Sequence, residues 1–144
     1  MKYRNIRALA IPLAGFLNTY LNAHHVPGDV LVPVPLHPKR LRERGYNQSA
    51  LLASELSKLN GLPVMEDCLE RRLQAPPQAR TATVDERRSN VADAFACRNN
   101  DLRGKLVILI DDVSTSGATL DACAMALKSG GAASVWGLTV AREI

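Results

Sequence analysis

At 144 residues the chain has room for one domain with one sizeable core and is too short for two ordinary ones. Its apolar share of 47%, with few aromatics, is that of a globular protein whose interior is filled by Val, Ile, Leu and Ala. A net charge of +4 favours anionic ligands but is too small to argue for nucleic-acid binding by itself. The basic residues cluster: Lys39, Arg40, Arg42 and Arg44 surround Glu43, and a second group holds Arg71, Arg72, Arg80, Arg87 and Arg88. Such clustering fits a localised phosphate site better than a uniform basic face. Cys68, Cys97 and Cys123 are odd in number and widely spaced, which excludes a disulfide framework and a four-thiolate zinc site and predicts reduced, mostly buried thiols. The N-terminal stretch has neither a secretory cleavage pattern nor an apolar span of membrane length. The expectation is a cytoplasmic protein with no membrane partner.

In chain order, Ile6, Leu9, Leu13, Phe16, Leu17, Tyr20 and Leu21 recur at three- and four-residue intervals and predict an amphipathic helix, bent or broken at Pro12. Residues 1–29 thus form a helical N-terminal segment of a single domain, 1–144. After Pro27 and Gly28, residues 30–34 are a short β-branched run that reads as a buried strand, opening into a basic loop. Leu51, Leu52, Leu56 and Leu59 then follow a helical period, with Asn47 or Ser49 as the cap and Gly61 just past the end. A weak strand pattern covers residues 62–69. Pro76 and Pro77 make residues 74–80 a turn or loop, and Thr83 with Glu86 matches a capping box opening a short helix to about Val91. Phe95 and Ala96 enter a strand.

Residues 106–110 are the clearest strand, apolar throughout and so expected to be buried on both faces as in a parallel sheet. Leu120, Cys123, Ala124 and Leu127 line one face of the helix that follows, ended by Gly130 and Gly131, and residues 134–141 supply a last strand. Strands alternating with helices predict an α/β fold with a mainly parallel sheet flanked by helices, whose ligands bind beyond the carboxyl ends of the strands. Trp136, Tyr3, His24 and His25 read as packing or solvated groups rather than ligands.

The chemistry concentrates where the buried strand ends. Asp111 and Asp112 occupy the ligand-binding edge, and burying two unpartnered carboxylates costs about several kcal/mol per ion. A polyhydroxyl sugar, with a divalent cation nearby, would satisfy them; two solvated loop carboxylates are the alternative. Ser114, Thr115, Ser116 and Thr119 add hydroxyls, Gly117 allows close backbone approach, and the next helix directs its positive end at the loop. This has the form of a phosphate cradle, with an ordinary Ser/Thr-rich cap as the alternative. Gly-x-x-x-x-Gly-Lys-Ser/Thr and Gly-x-Gly-x-x-Gly after a strand are both absent, which disfavours a kinase, an ATPase or a nicotinamide enzyme.

Four apolar residues, two acids, Val and a hydroxyl-rich loop with Gly and Thr resemble the phosphoribosyl diphosphate motif of type I phosphoribosyltransferases. Val32, Pro33, Val34, Pro35, Leu36 and His37, the spaced Arg40 and Arg44, and Gly45, Tyr46, Asn47 and Gln48 resemble the characteristic stretch of the ComF/GntX family, the competence-associated branch. Gln78, Arg80, Arg87, Arg88 and Asn90 resemble its middle region, and residues 138–142 its end. The resemblance implies a type I phosphoribosyltransferase fold and a magnesium-dependent enzyme. Such an enzyme transfers the phosphoribosyl group of 5-phosphoribosyl 1-diphosphate to a nitrogenous acceptor and releases pyrophosphate. It implies that Asp111 and Asp112 hold the ribose and Mg2+, and that Ser114, Thr115, Ser116, Gly117, Ala118 and Thr119 bind the 5-phosphate. Pro35, Leu36, His37, Lys39, Arg40 and Arg44 would face the pyrophosphate, and residues 76–90 would form a closing loop in which Arg80, Arg87 and Arg88 are the catalytic candidates.

Two departures qualify these implications. Many members of the family begin with a cysteine-rich zinc module, whereas this sequence starts at a helix and lacks those cysteines. In the hypoxanthine-guanine branch an aspartate commonly sits where this chain has Thr115, which weakens a 6-oxopurine acceptor and leaves no evident general base. The alternative function is a non-catalytic sugar-phosphate-binding or regulatory module, acting with a protein or DNA partner in DNA uptake or nucleotide metabolism. The sequence leaves the acceptor and the oligomeric state open.

Overall fold

The computed structural model describes residues 2–71, 95–98, 101–114 and 117–142, with side chains described from Arg7 to Ala141. Among the described residues four helices, α1 (Lys2–Ala23), α2 (Pro38–Arg44), α3 (Gln48–Asn60) and α4 (Ala118–Ser129), accompany five strands, β1 (Val30–Pro33), β2 (Leu69–Arg71), β3 (Phe95–Cys97), β4 (Leu106–Ser114) and β5 (Ser134–Arg142). The turn expected at 74–80 and the capping-box helix at 83–91 lie outside the described residues.

The main sheet has the order β1-β4-β5, and both pairings are parallel. Period-two alternation divides its side chains between two cores. Val30, Val32, Val107 and Leu109 pack with Ala122, Cys123, Ala126 and Leu127 of α4 and with Leu69 and Phe95 of the β2-β3 ribbon. Leu31, Ile108, Ile110 and Leu138 face the other way, against Ala14, Leu17 and Leu21 of α1 and Leu52, Ala53 and Leu56 of α3. Helices on both faces explain why residues 106–110 are apolar without alternation, and the α/β expectation with a mainly parallel sheet holds.

Several local expectations change. Pro12 lies inside α1, which continues through it to Ala23. The loop expected after β1 is largely a helix: His37 caps α2 by accepting from the Lys39 amide at 3.1 Å, Pro38 opens it, and Gly45 ends it at φ 83°. The weak strand over 62–69 divides in two. Residues 63–65 run parallel beside β1, with the Leu31 amide donating to Pro63 and the Met65 amide donating to Leu31, each at 2.9 Å. Leu69 begins a separate antiparallel ribbon with β3. Trp136, expected to pack, is half exposed, whereas His24 and His25 are exposed as expected. Cys68 and Cys123 are buried, Cys97 is partly so, and all three are reduced, outside any disulfide; burial pushes Cys68 up to about 11. Among the described residues no helix is long and apolar enough to cross a membrane.

Candidate functional site

In a parallel sheet all strands exit at the same edge, so the ends of β1 and β4 lie side by side. The Val34 amide donates to the Ile110 carbonyl at 2.8 Å, so the chain leaves β1 level with the residue that precedes Asp111. β4 does not leave the sheet at the acid pair as expected from sequence. Its pairing with β1 stops at Ile110, whereas its pairing with β5 runs on to Ser114 opposite Arg142. Asp111 and Asp112 therefore sit on a strand held on one side and released on the other.

Asp111 is buried, with 9% of its surface exposed. Ser49 Oγ donates to Asp111 Oδ1 at 3.2 Å and the Asp112 amide donates to the same oxygen at 2.9 Å, while the Val113 amide donates to Asp112 Oδ1 at 2.8 Å. Burial, reinforced by the neighbouring Asp112, pushes the Asp111 carboxyl up to about 6, although the donated bonds from the Asp112 amide and Ser49 oppose the rise. Two solvated loop carboxylates, the alternative weighed from sequence, do not describe this pair.

A short relay joins the acids to the β1 exit. Asn47 Nδ2 donates to the Val34 carbonyl at 3.1 Å, Asn47 Oδ1 accepts from the Ser49 amide at 3.0 Å, and Ser49 Oγ reaches Asp111. Sequence offered Asn47 or Ser49 as the cap of α3. Asn47 takes that place and frees the buried Ser49 for the acid, 62 positions away in sequence.

On the far side of β4, Gly117 stands at φ 80° as the cap of α4 and gives no side-chain hydrogen bond. Helix α4 directs its positive end at the same edge as the acids. Ser114 is buried at the end of β4, and Gly117, Ala118 and Thr119 are half-buried around the first turn of α4. With Asp121 and Thr139, Ser114 and Gly117 line a cavity of about 440 Å³. Thr115 and Ser116 lie outside the described residues, as do Arg80, Arg87 and Arg88.

At the β1 exit, Pro35, Leu36 and His37 are half-buried, and Lys39, Arg40 and Arg44 are exposed on α2. His37 Nδ1 is engaged as the helix cap. Arg44 lies over the Tyr46 ring, 5.8 Å from its centroid, and donates to Gln48 Oε1 at 3.3 Å. Arg71, which sequence placed only within a general basic group, is half-buried at the end of β2, 5.2 Å from the centroid of the Phe95 ring. Its pKa is lowered, first by burial and also by Arg40, while Cys123 and Asp111 act to raise it. Arg71 thus lies within electrostatic range of Asp111 and Arg40. No sequence period could single it out, because a three-residue ribbon brings it there.

Among the described residues no cluster of three or more His, Cys, Asp or Glu could hold a metal ion unaided. Two adjacent carboxylates are nevertheless the hard oxygen donors that Mg2+ uses together with substrate phosphates and water. The donor set fits such an ion.

No protein-family model matches the sequence. Similarity to individual proteins is clear. The chain is 35% identical over 114 residues to competence protein F of Haemophilus influenzae, covering 76% of this chain and 49% of that protein. It is 36% identical over 129 residues to competence protein ComFC of Bacillus subtilis, covering 89% and 50% respectively. Against DNA utilization protein YhgH of Escherichia coli K12 the figures are 33% over 108 residues, 74% and 46%. The chain therefore spans about half the length of the curated relatives it matches. Glutamine phosphoribosylpyrophosphate amidotransferase from B. subtilis, complexed with ADP and GMP, superposes with a TM-score of 0.63 at 19% identity, over 93% of this chain and 26% of that one. Purine phosphoribosyltransferase from Pyrococcus horikoshii gives a TM-score of 0.57 at 19% identity, over 91% and 70%. Over the matched residues the chain is similar in sequence to the ComF-type competence proteins, and its fold is that of the type I phosphoribosyltransferases.

Proposed function

We propose that this domain binds 5-phosphoribosyl 1-diphosphate and transfers its phosphoribosyl group to a nitrogenous acceptor, releasing pyrophosphate. The observation that carries the proposal is the buried Asp111, tied through Ser49 and Asn47 to the exit of β1 and flanked by the cap of α4. In this assignment Asp111 and Asp112 take the ribose hydroxyls. Ser114, Thr115, Ser116, Gly117, Ala118 and Thr119 take the 5-phosphate at the positive end of α4. Residues 35–37 with Lys39, Arg40 and Arg44 face the diphosphate.

Departure of pyrophosphate leaves positive charge on the sugar and negative charge on the leaving group, so fixed cations are needed more than a strong nucleophile. In this assignment the α2 cations and Arg71 act on the leaving group, and Arg80, Arg87 and Arg88 are given the same task from the sequence resemblance. Asp111 and Asp112 would hold Mg2+, which supplies charge neutralisation on the diphosphate when bound.

Titration calorimetry with 5-phosphoribosyl 1-diphosphate and Mg2+ tests the binding claim. Saturable binding is expected for the wild type, and a loss of at least about 100-fold for Asp111→Asn combined with Asp112→Asn. Wild-type protein that does not saturate, or a double variant that binds equally well, excludes the assignment. Catalysis is measured separately, as pyrophosphate release across nitrogenous acceptors.

The second reading is a sugar-phosphate-binding module that acts through a partner. It is favoured by the names of the relatives, competence protein and DNA utilization protein, which describe a process rather than a reaction. Tight ligand binding with no turnover on any acceptor, together with ligand-dependent capture of a protein or DNA, supports that reading. Turnover by the isolated chain removes the need for it.

A further inference from the structure

The two edges of the main sheet are finished differently. Residues 63–65 cover the outer side of β1 through two backbone bonds. At the opposite edge β5 pairs, among the described residues, only with β4. β5 is nine residues long, contains neither Lys nor Pro, and carries its single charge at the terminal Arg142. Exposed edges ordinarily carry a lysine, a proline or a bulge that discourages further pairing, and an edge without them is a template for another strand.

The helix beside that edge is equally unfinished. From residue 8 to residue 23, α1 has no Asp, Glu, Lys or Arg. Ala10, Ala14, Leu17 and Leu21 form its buried stripe, and Leu9, Leu13, Phe16 and Tyr20 form a second apolar stripe next to it at helical spacing. Leu9 is 59%, Phe16 75% and Tyr20 49% exposed. A helix that is apolar on adjoining faces is normally covered on both. Between the second stripe and β5 lies a groove of about 560 Å³ lined by Phe16, Tyr20, Leu138 and Val140, with Trp136 on the same strand face, itself 49% exposed.

We propose that the outer edge of β5 and the exposed stripe of α1 form a two-fold interface with a second copy of this chain. Antiparallel pairing of β5 with its counterpart, about an axis normal to the sheet, extends the sheet across the dimer and places both α1 helices on one face. The exposed stripe of each copy then meets the groove of the other, which is the self-complementarity that a two-fold contact requires. The exposed aromatic side chains supply a large share of the area that a standard interface needs. At about 150–250 Å² per aromatic side chain, Phe16, Tyr20 and Trp136 together expose roughly 350 Å². That is nearly half of the ~800 Å² per partner of a standard interface, before Leu9 and the strand edge are added. Apart from Arg142 at the end of β5 the patch carries no charge, so two chains of net charge +4 approach there with few like charges facing each other.

This inference does not depend on the proposed chemistry. Sedimentation velocity of the wild-type chain from about 1 to about 100 μM is expected to show a monomer passing into a dimer. Phe16→Asp and Trp136→Lys, both at exposed positions, are each expected to weaken dimerisation by at least about tenfold, with unchanged circular dichroism. A wild-type monomer throughout that range overturns the proposal, as does a dimer indifferent to both substitutions. So does a monomer that co-sediments with phosphatidylglycerol vesicles and loses that binding in Phe16→Asp, which assigns the face to a lipid surface.

Discussion

The exits of β1 and β4 are neighbours on one sheet edge, yet they are built on opposite principles. The β1 exit is basic and solvated: α2 buries none of its residues, and its ends are closed by His37 and Gly45. The β4 exit buries an acid, raises its pKa and leaves a glycine as the cap of the following helix. The first arrangement leaves its charges in water, and the second holds a carboxyl where burial disfavours its ionised form. The difference teaches where burial works against charge in this fold, namely at Asp111 rather than among the cations.

The largest test of that contrast is Asp111→Asn. A carboxyl that titrates at about 6 in the fold and near 3.8 outside it opposes folding wherever it is ionised. The penalty is fully present above about pH 6, shrinks as pH falls through that value, and is gone below about pH 4. Asparagine keeps an oxygen for Ser49 and the Asp112 amide but carries no charge. The variant is expected to gain up to about 3 kcal/mol of stability at pH 8, with the gain fading toward pH 4, as read by urea denaturation across that range. A gain that stays flat with pH, or a loss at pH 8, contradicts the assignment of that penalty to this carboxyl.

This asymmetry also governed what sequence could reveal. The β4 exit was legible because residues 106–110 are apolar on both faces and the acids interrupt that run abruptly. The two helices at the β1 exit were unevenly legible. Helix α3 has a buried face and therefore a period, whereas α2 buries nothing, so Pro38 and Gly45 flank a helix with no apolar rhythm to announce it. The partnership of Ser49 with Asp111 and the position of Arg71 were not legible, since both arise from packing between segments distant in sequence. The single bridge at Val64 blurred into β2 because each is too short to show alternation.

A middle-sized effect is expected at the β1 exit. Lys39 and Arg40 are exposed, so removing them leaves no buried group unpaired and should move stability by no more than about 0.5 kcal/mol. If they face the diphosphate, Lys39→Ala with Arg40→Ala weakens 5-phosphoribosyl 1-diphosphate by about tenfold and ribose 5-phosphate by much less, and the difference narrows as salt rises. Equal weakening of both ligands places these cations elsewhere than at the diphosphate.

The smallest effect tests the relay between the two exits. Ser49→Ala removes the hydroxyl that donates to Asp111 Oδ1 and leaves the Asn47 bond to the Ser49 amide in place, because that donor is backbone. At pH 8 the substitution should cost about 1 kcal/mol, since a bond to a charged acceptor is lost and the carboxylate is stabilised less. At pH 4, where Asp111 is neutral in the fold, the cost should fall by about half. In the Asp111→Asn background the cost should be small at every pH, so the double-mutant cycle isolates the charged part of the contact. An equal cost in both backgrounds means that Ser49 only fills space, and the two exits are then adjacent without being coupled.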